Sequence, residues 1–404
     1  MDDLSFEVVA YFKNKNRENF NVSYRIKFPN VGKITNSDYY DIIDNVDWVL
    51  DTPSGIINEA YYDADEMIGA YYAQTKWEYK KLEVIAGLRY EYTKLHYHMH
   101  SENLVVAQDG SKIYYDYLPN INLKYAYNNK TNIRASYYKS LNRQGFFEII
   151  PYEKESEEEG YNEFGNPDLK HSLIDNVDMR WEYFHRPTEQ ILIGAFYKHL
   201  QNPIEMAYTS INNRQYGYRP ENLGNAQNFG GEIDFIKYVK LFGIKANYTY
   251  THSVITTTKM VYAKDENGNY FTSSKYQSRP LVGQAAHVAN LSLLYKNVNH
   301  GLDAQIALTY IGDKIVIASN YYNSDYWQKG NFQLGVSAEK KFRNGLSLFV
   351  KANDLLTTPI VRFTKTANSY NDSFPLQSSN NGETIIRKDY ITPSLLAGIR
   401  FKLP

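Results

Sequence analysis

Polar and apolar residues alternate with period two along almost the whole chain. Leu82, Val84, Ala86, Leu88 and Tyr90 fall on one face, with Glu83, Arg89 and Glu91 on the other. Ile121, Leu123, Tyr125 and Tyr127 alternate with Asn122 and Lys124. Similar runs recur at Ile244–Tyr250, Leu302–Tyr310, Phe332–Ala338 and Ile391–Phe401. Each is a strand with one apolar face. A helix is expected only over Asp38–Asp51, where Ile42, Ile43, Val46, Val49 and Leu50 recur at helical spacing and Pro53 and Gly55 follow.

The connections separate the candidate folds. A soluble sandwich also alternates, but here short and long connections alternate as well. Tight turns are expected at Asn14-Lys15-Asn16, between the strands near 66–76 and 81–95, at Asn128-Asn129-Lys130, and near 185–189, 239–243, 296–300 and 341–345. Long segments are expected near 28–65, 97–111, 143–171, 206–222, 257–281, 313–328 and 356–386. In an up-and-down barrel this places every short turn on one rim and every long loop on the other, as in outer-membrane barrels. The pattern predicts an all-β, antiparallel transmembrane β-barrel of about 15 strands, as a single domain over residues 1–404. Tyr90, Tyr92, Tyr125, Tyr127, Tyr183, Tyr248, Tyr250, Tyr295 and Tyr310 stand near strand ends on the apolar face, the expected place of an interfacial girdle.

Composition changes this picture little. Mean hydropathy is −0.55, which would suggest a soluble protein. A barrel wall meets lipid only at alternate residues, however, so its average is low. Formal charge is −1, from 44 basic and 45 acidic residues, which offers nothing to nucleic acid. The chain has no cysteine, so thiolate metal sites and thiol nucleophiles are excluded. The first residues, Met-Asp-Asp-Leu-Ser-Phe, lack the basic and apolar regions of a signal peptide. An odd strand count cannot close an antiparallel wall, so N-terminal strands are expected elsewhere, in this or another chain.

Several segments, in order, resemble the C-terminal barrel of TonB-dependent outer-membrane receptors of the Bacteroidota type. They are Ile85-Ala86-Gly87-Leu88-Arg89-Tyr90-Glu91, Leu118-Pro119-Asn120-Ile121, Gly165-Asn166-Pro167-Asp168-Leu169, Pro203-Ile204-Glu205, Gly230-Gly231-Glu232-Ile233, Asn353-Asp354-Leu355-Leu356 and the aromatic-ended last strand at Phe401. The resemblance implies part of a 22-stranded barrel in the bacterial outer membrane, surrounded by lipid. It also implies an N-terminal plug and energy coupling through TonB for uptake of an external solute. A plug-less structural or assembly barrel is the alternative. An outer-membrane hydrolase using His96 or Asp265 is a third reading, but no G-x-S-x-G nucleophile motif is present, and neither an enzyme nor a cofactor is expected.

Candidate sites follow from strand parity. Arg89, Glu91, Arg134, Arg180 and Glu182 belong to the polar face, so they line the passage or pair across strands. His96, His98 and His100 stand at period two on one face, a donor set that could contribute to a transition-metal site. The acidic run Glu153–Glu159 and Asp265-Glu266-Asn267-Gly268-Asn269 are weaker candidates for calcium and read better as a solvated loop and a turn.

Overall fold

The alternating segments assemble into one antiparallel sheet. The computed structural model describes residues 3–20, 24–27, 47–50, 61–100, 109–156, 161–212, 215–264, 269–365 and 382–401. In chain order, β1 (Asp3–Asn19) is followed by a small hairpin of β2 (Tyr24–Lys27) and β3 (Asp47–Leu50), then by β4 (Tyr62–Tyr79), β5 (Leu82–Met99), β6 (Asp109–Asn128) and β7 (Thr131–Asn142). Next come β8 (Glu153–Ser156), β9 (Tyr161–Phe164), β10 (Ser172–Arg186), β11 (Glu189–Gln201), β12 (Ile204–Asn212), β13 (Gln215–Asn222), β14 (Ala226–Val239), β15 (Phe242–Lys264) and β16 (Tyr270–Arg279). The chain ends with β17 (His287–Asn297), β18 (Leu302–Ile311), β19 (Lys314–Ser319), β20 (Tyr326–Gln328), β21 (Asn331–Lys341), β22 (Leu346–Asn353), β23 (Ile360–Thr364), β24 (Thr384–Asp389) and β25 (Ser394–Phe401).

The wall follows the order β1-β4-β5-β6-β7-β10-β11-β14-β15-β17-β18-β21-β22-β25, and β16 extends β15 beyond it. Among the described residues β1 pairs only with β4, and β25 only with β22. All six short connections lie on one rim. Four of them are two-residue turns, at 80–81, 129–130, 187–188 and 240–241.

The two faces differ as the pattern requires. Tyr71, Leu88, Tyr117, Leu123, Val177, Ile233, Leu293 and Ile306 are exposed on the outer face. All nine girdle tyrosines lie on that face by register. On β6 the outward Tyr115 and Tyr125 bound the apolar stretch Pro119–Leu123. Ten residues at ~3.3 Å each span ~33 Å, which a tilt of ~40° reduces to the ~25 Å height of a membrane band. Leu293→Arg on this face is expected to destabilise the wall by about 2–4 kcal/mol. Gln305→Lys on the inner face should cost little, because Gln305 only hydrogen-bonds the Ser292 hydroxyl at 3.1 Å. Unfolding titrations in lipid vesicles would separate the two.

Three sequence expectations change. Asn14-Lys15-Asn16 is not a turn: β1 runs straight through it, with Asn14 opposite Met67 and Asn16 opposite Asp65. This segment stands above the apolar band, where both faces are wet, and Lys13 is held by Glu66 at 2.8 Å. β1 therefore starts at the short-turn rim, and the wall has fourteen strands. The fifteenth strand of the sheet is β16. The expected helix is corrected where it can be seen. Asp47–Leu50 is a strand paired with Tyr24–Lys27, and residues 38–46 lie outside the described residues. Trp48 and Val49 carry β propensity and find a partner strand there.

The long connections are also not plain loops. Their strands form a second sheet in the order β24-β23-β20-β19-β12-β13-β9-β8. Hairpins from different connections join through parallel contacts, Ala207 with Ala318 and Tyr218 with Glu163. Of the acidic run, Glu153–Ser156 is a strand of this sheet and residues 157–160 lie outside the described residues, as do 265–268.

Candidate functional site: the inner wall and the loop sheet

The short segment Gly165–Lys170 ties the loop sheet to the wall. The Asn166 side chain donates to Pro220 O at 2.9 Å, and its carbonyl accepts the Asp168 N–H at 3.0 Å. The Asn222 carbonyl accepts the Lys170 N–H at 2.7 Å. Leu169 enters an apolar core with Phe146, Ile149, Ile150, Leu95 and Tyr97. This core packs against the inner faces of β4 and β5 and contains the helical turn Phe146–Ile149. Gly165 is required here, because a Cβ would overlap the Ile150 carbonyl.

Below that core, the inner faces of β1, β4, β5, β6 and β7 line an open cavity of about 660 Å³. Arg89, Arg143, Lys13, Tyr11, Tyr72 and Tyr138 line it. Glu91 is 2% exposed and sits between two guanidinium groups: Arg89 Nε donates to it at 2.8 Å, and Arg143 reaches it from the other side. Arg89 also lies over the Tyr11 ring, 5.3 Å from its centroid. One carboxylate thus serves two arginines, which leaves the cavity with cationic donors beside phenol rings. Next to it His171 stacks on Tyr114 at 3.9 Å and meets the buried Asp116 at 3.1 Å.

Arg134, Arg180 and Glu182 lie on the same inner face but away from this cavity. Arg134 and Arg180 are directly opposed, and their repulsion is offset by carboxylates. Arg134 Nε meets both Glu182 oxygens at 3.0 Å, and Arg180 pairs with Glu232. These three hold β7, β10 and β14 together.

His96, His98 and His100 lie on the outer face, above the Tyr90 and Tyr92 belt. Each meets a different aspartate: Asp65 at 3.2 Å, Asp109 at 2.8 Å and Asp63 at 2.7 Å. Among the described residues no three such side chains form a group that could hold a metal.

A second cluster, invisible to local pattern, joins three long connections. Arg279 on β16 grips Glu205 on β12 through two bonds of 3.0 and 2.9 Å. Lys259 on β15 donates to both oxygens of Asp325 at 2.5 and 2.6 Å. The Val282 and Ser319 N–H groups cap the two carboxylates at 2.7 and 2.9 Å. All four charged side chains are buried. Burial lowers the Lys259 pKa, and the Asp325 carboxylate opposes that shift. The only local signal was Glu205 in the Pro-Ile-Glu segment. Lys259 and Asp325 are 66 residues apart.

An antiparallel wall with an apolar outer band, two tyrosine belts, short turns on one rim and a capped polar interior defines an outer-membrane β-barrel protein. The chain belongs to the outer membrane protein beta-barrel family, whose model matches residues 6–383, and its place is the bacterial outer membrane. No curated protein sequence matches it. Among solved structures it is similar to the siderophore receptor PiuA from Acinetobacter baumannii, with TM-score 0.63 and 13% identity over 98% of this chain and 53% of that one. It is also similar to the ferric-catecholate import receptor Fiu from K12 E. coli, with TM-score 0.58 and 14% identity over 98% and 52%. The copper transporter OprC follows with TM-score 0.57 and 12% identity over 88% and 49%. The chain thus spans about half the length of these receptors and transporters.

Proposed function

We propose that this chain is the C-terminal part of the wall of a TonB-dependent-type importer. In this reading eight further strands complete a 22-stranded barrel, and a plug, in the same or another chain, fills it. The single observation behind the reading is the pairing of a fourteen-strand wall, whose end strands β1 and β25 each pair on one side among the described residues, with a likeness that covers 98% of this chain but only 53% of the receptor PiuA. The loop sheet would capture an external solute, and the inner-wall cavity would take it up. Two arginines sharing Glu91 beside three tyrosines suit an anionic, ring-bearing solute. The similar structures include a siderophore receptor and a ferric-catecholate import receptor, which is consistent with that chemistry. The wall itself would be non-enzymatic. Arg89→Ala with Arg143→Ala is expected to lower saturable uptake of such a solute by at least roughly tenfold while the protein still reaches the outer membrane. Removing TonB should abolish the uptake altogether. Uptake that persists without TonB would refute the importer reading.

A further inference from the structure

We propose that the short-turn rim is a basic collar that binds anionic phospholipid headgroups of the leaflet it meets, an inference independent of what the barrel imports. The formal charge of −1 hides an axial polarity. The long connections between wall strands (20–61, 100–108, 143–171, 202–225, 265–286, 312–330 and 354–393) carry 25 carboxylates and 16 lysines or arginines. The six short turns with their closing pairs carry seven lysines or arginines against one carboxylate, the buried Glu189. Among the described residues no carboxylate lies within ion-pair distance of Lys80, Lys81, Lys130, Lys240 or Arg343, and all five are exposed.

Backbone geometry argues that the charge is not incidental. Lys80 and Lys240 both occupy left-handed positions, each with φ of 54°. Glycine or asparagine adopts that conformation more readily, and two-residue turns favour them. Lysine in two such places is a poor choice for the turn, so the side chain must be the reason. These ammonium groups also sit at the edge of the apolar band. Lys80 Nζ lies 5.0 Å from the Tyr79 ring centroid, and Lys81 donates to Tyr127 O at 2.8 Å. Val239 and Phe242 flank Lys240 at 65% exposure each. Apolar stems beside a cationic tip fit a lipid interface, where basic residues attract anionic headgroups. An acidic protein would match the charge but not the continuity of apolar residues around the rim.

Trp77 and Trp181 face outward on this side and can report the lipid beside them. The full chain, with Trp48→Phe and Trp327→Phe, would be placed in bilayers of phosphatidylcholine containing either brominated phosphatidylglycerol or brominated phosphatidylcholine. At equal mole fraction the anionic quencher should be favoured at least roughly fivefold, about the factor one engaged lysine carries, and high salt should shrink the preference. Lys80→Asn, Lys81→Gln, Lys130→Gln and Lys240→Asn together remove the unpaired lysines near the two tryptophans and should bring the ratio to about one. Asparagine keeps the left-handed turns, so unchanged heat-modifiable mobility on a gel would show that the wall is intact. Equal quenching by the two lipids in the parent protein, or a preference that survives the quadruple variant, would overturn the proposal. Equal quenching would leave the collar to an acidic protein.

Discussion

Replacing Asp325 with alanine is expected to loosen the loop sheet at a cost of about 3–5 kcal/mol, the usual result of leaving a buried charge without its partner. Asp325 is 1% exposed and holds Lys259, the Ser319 N–H and, at 3.9 Å, the edge of Arg279. Its loss strands an ammonium group on a side chain that is only 2% exposed. Lys259→Met with Asp325→Leu removes both charges, leaves the Arg279–Glu205 pair balanced, and should be close to neutral. Amide exchange along β12 and β19 would measure the difference. The single variant should exchange roughly a hundredfold faster or more, and the double variant should resemble the parent. Equal exchange in all three would mean that the ionic cluster does not hold the connections together.

Gly230→Val should prevent the wall from closing between β11, β14 and β15. A Cβ at Gly230 would overlap the Tyr250 carbonyl, with Phe196 Cζ at 3.0 Å on the other side. That carbonyl belongs to a strand paired on both sides, so it cannot move away cheaply. The expected cost is roughly 3 kcal/mol or more, read as loss of the heat-modifiable folded band. The adjacent Gly231→Ala is the control. Its nearest neighbour would be Gly194 O at 3.4 Å, an ordinary contact, so it should fold. If both variants fold equally well, the steric account of this Gly-Gly step is wrong.

The wall was legible because lipid imposes the alternation directly. Leu82 to Tyr90 can be read residue by residue, and the inner placement of Arg89, Glu91, Arg134, Arg180 and Glu182 followed from parity alone. Legibility failed where lipid stops acting. Asn14-Lys15-Asn16 looks like a turn because above the band neither face is apolar, yet pairing with β4 carries the strand onward. The loop strands β12 and β19 pair although they lie about a hundred residues apart, and no local signal announces such a joint. Arg143, the second partner of Glu91, arrives from the far end of β7, and nothing in the spacing of Arg89 and Glu91 points to it. The three histidines were read as one face of a strand. What the pattern could not supply was the aspartate that each one hydrogen-bonds.

The central claim, that this wall is the C-terminal part of a larger importer barrel, is tested most directly by the size of the native polypeptide in isolated outer membranes. Antibody to the 143–171 connection, followed by peptide mapping of the detected band, would measure it. The expected result is a species near twice 47.0 kDa, with additional strands and a plug preceding Asp3 in its map. A sole species at 47.0 kDa, with no second chain bound at β1 and β25, would contradict it.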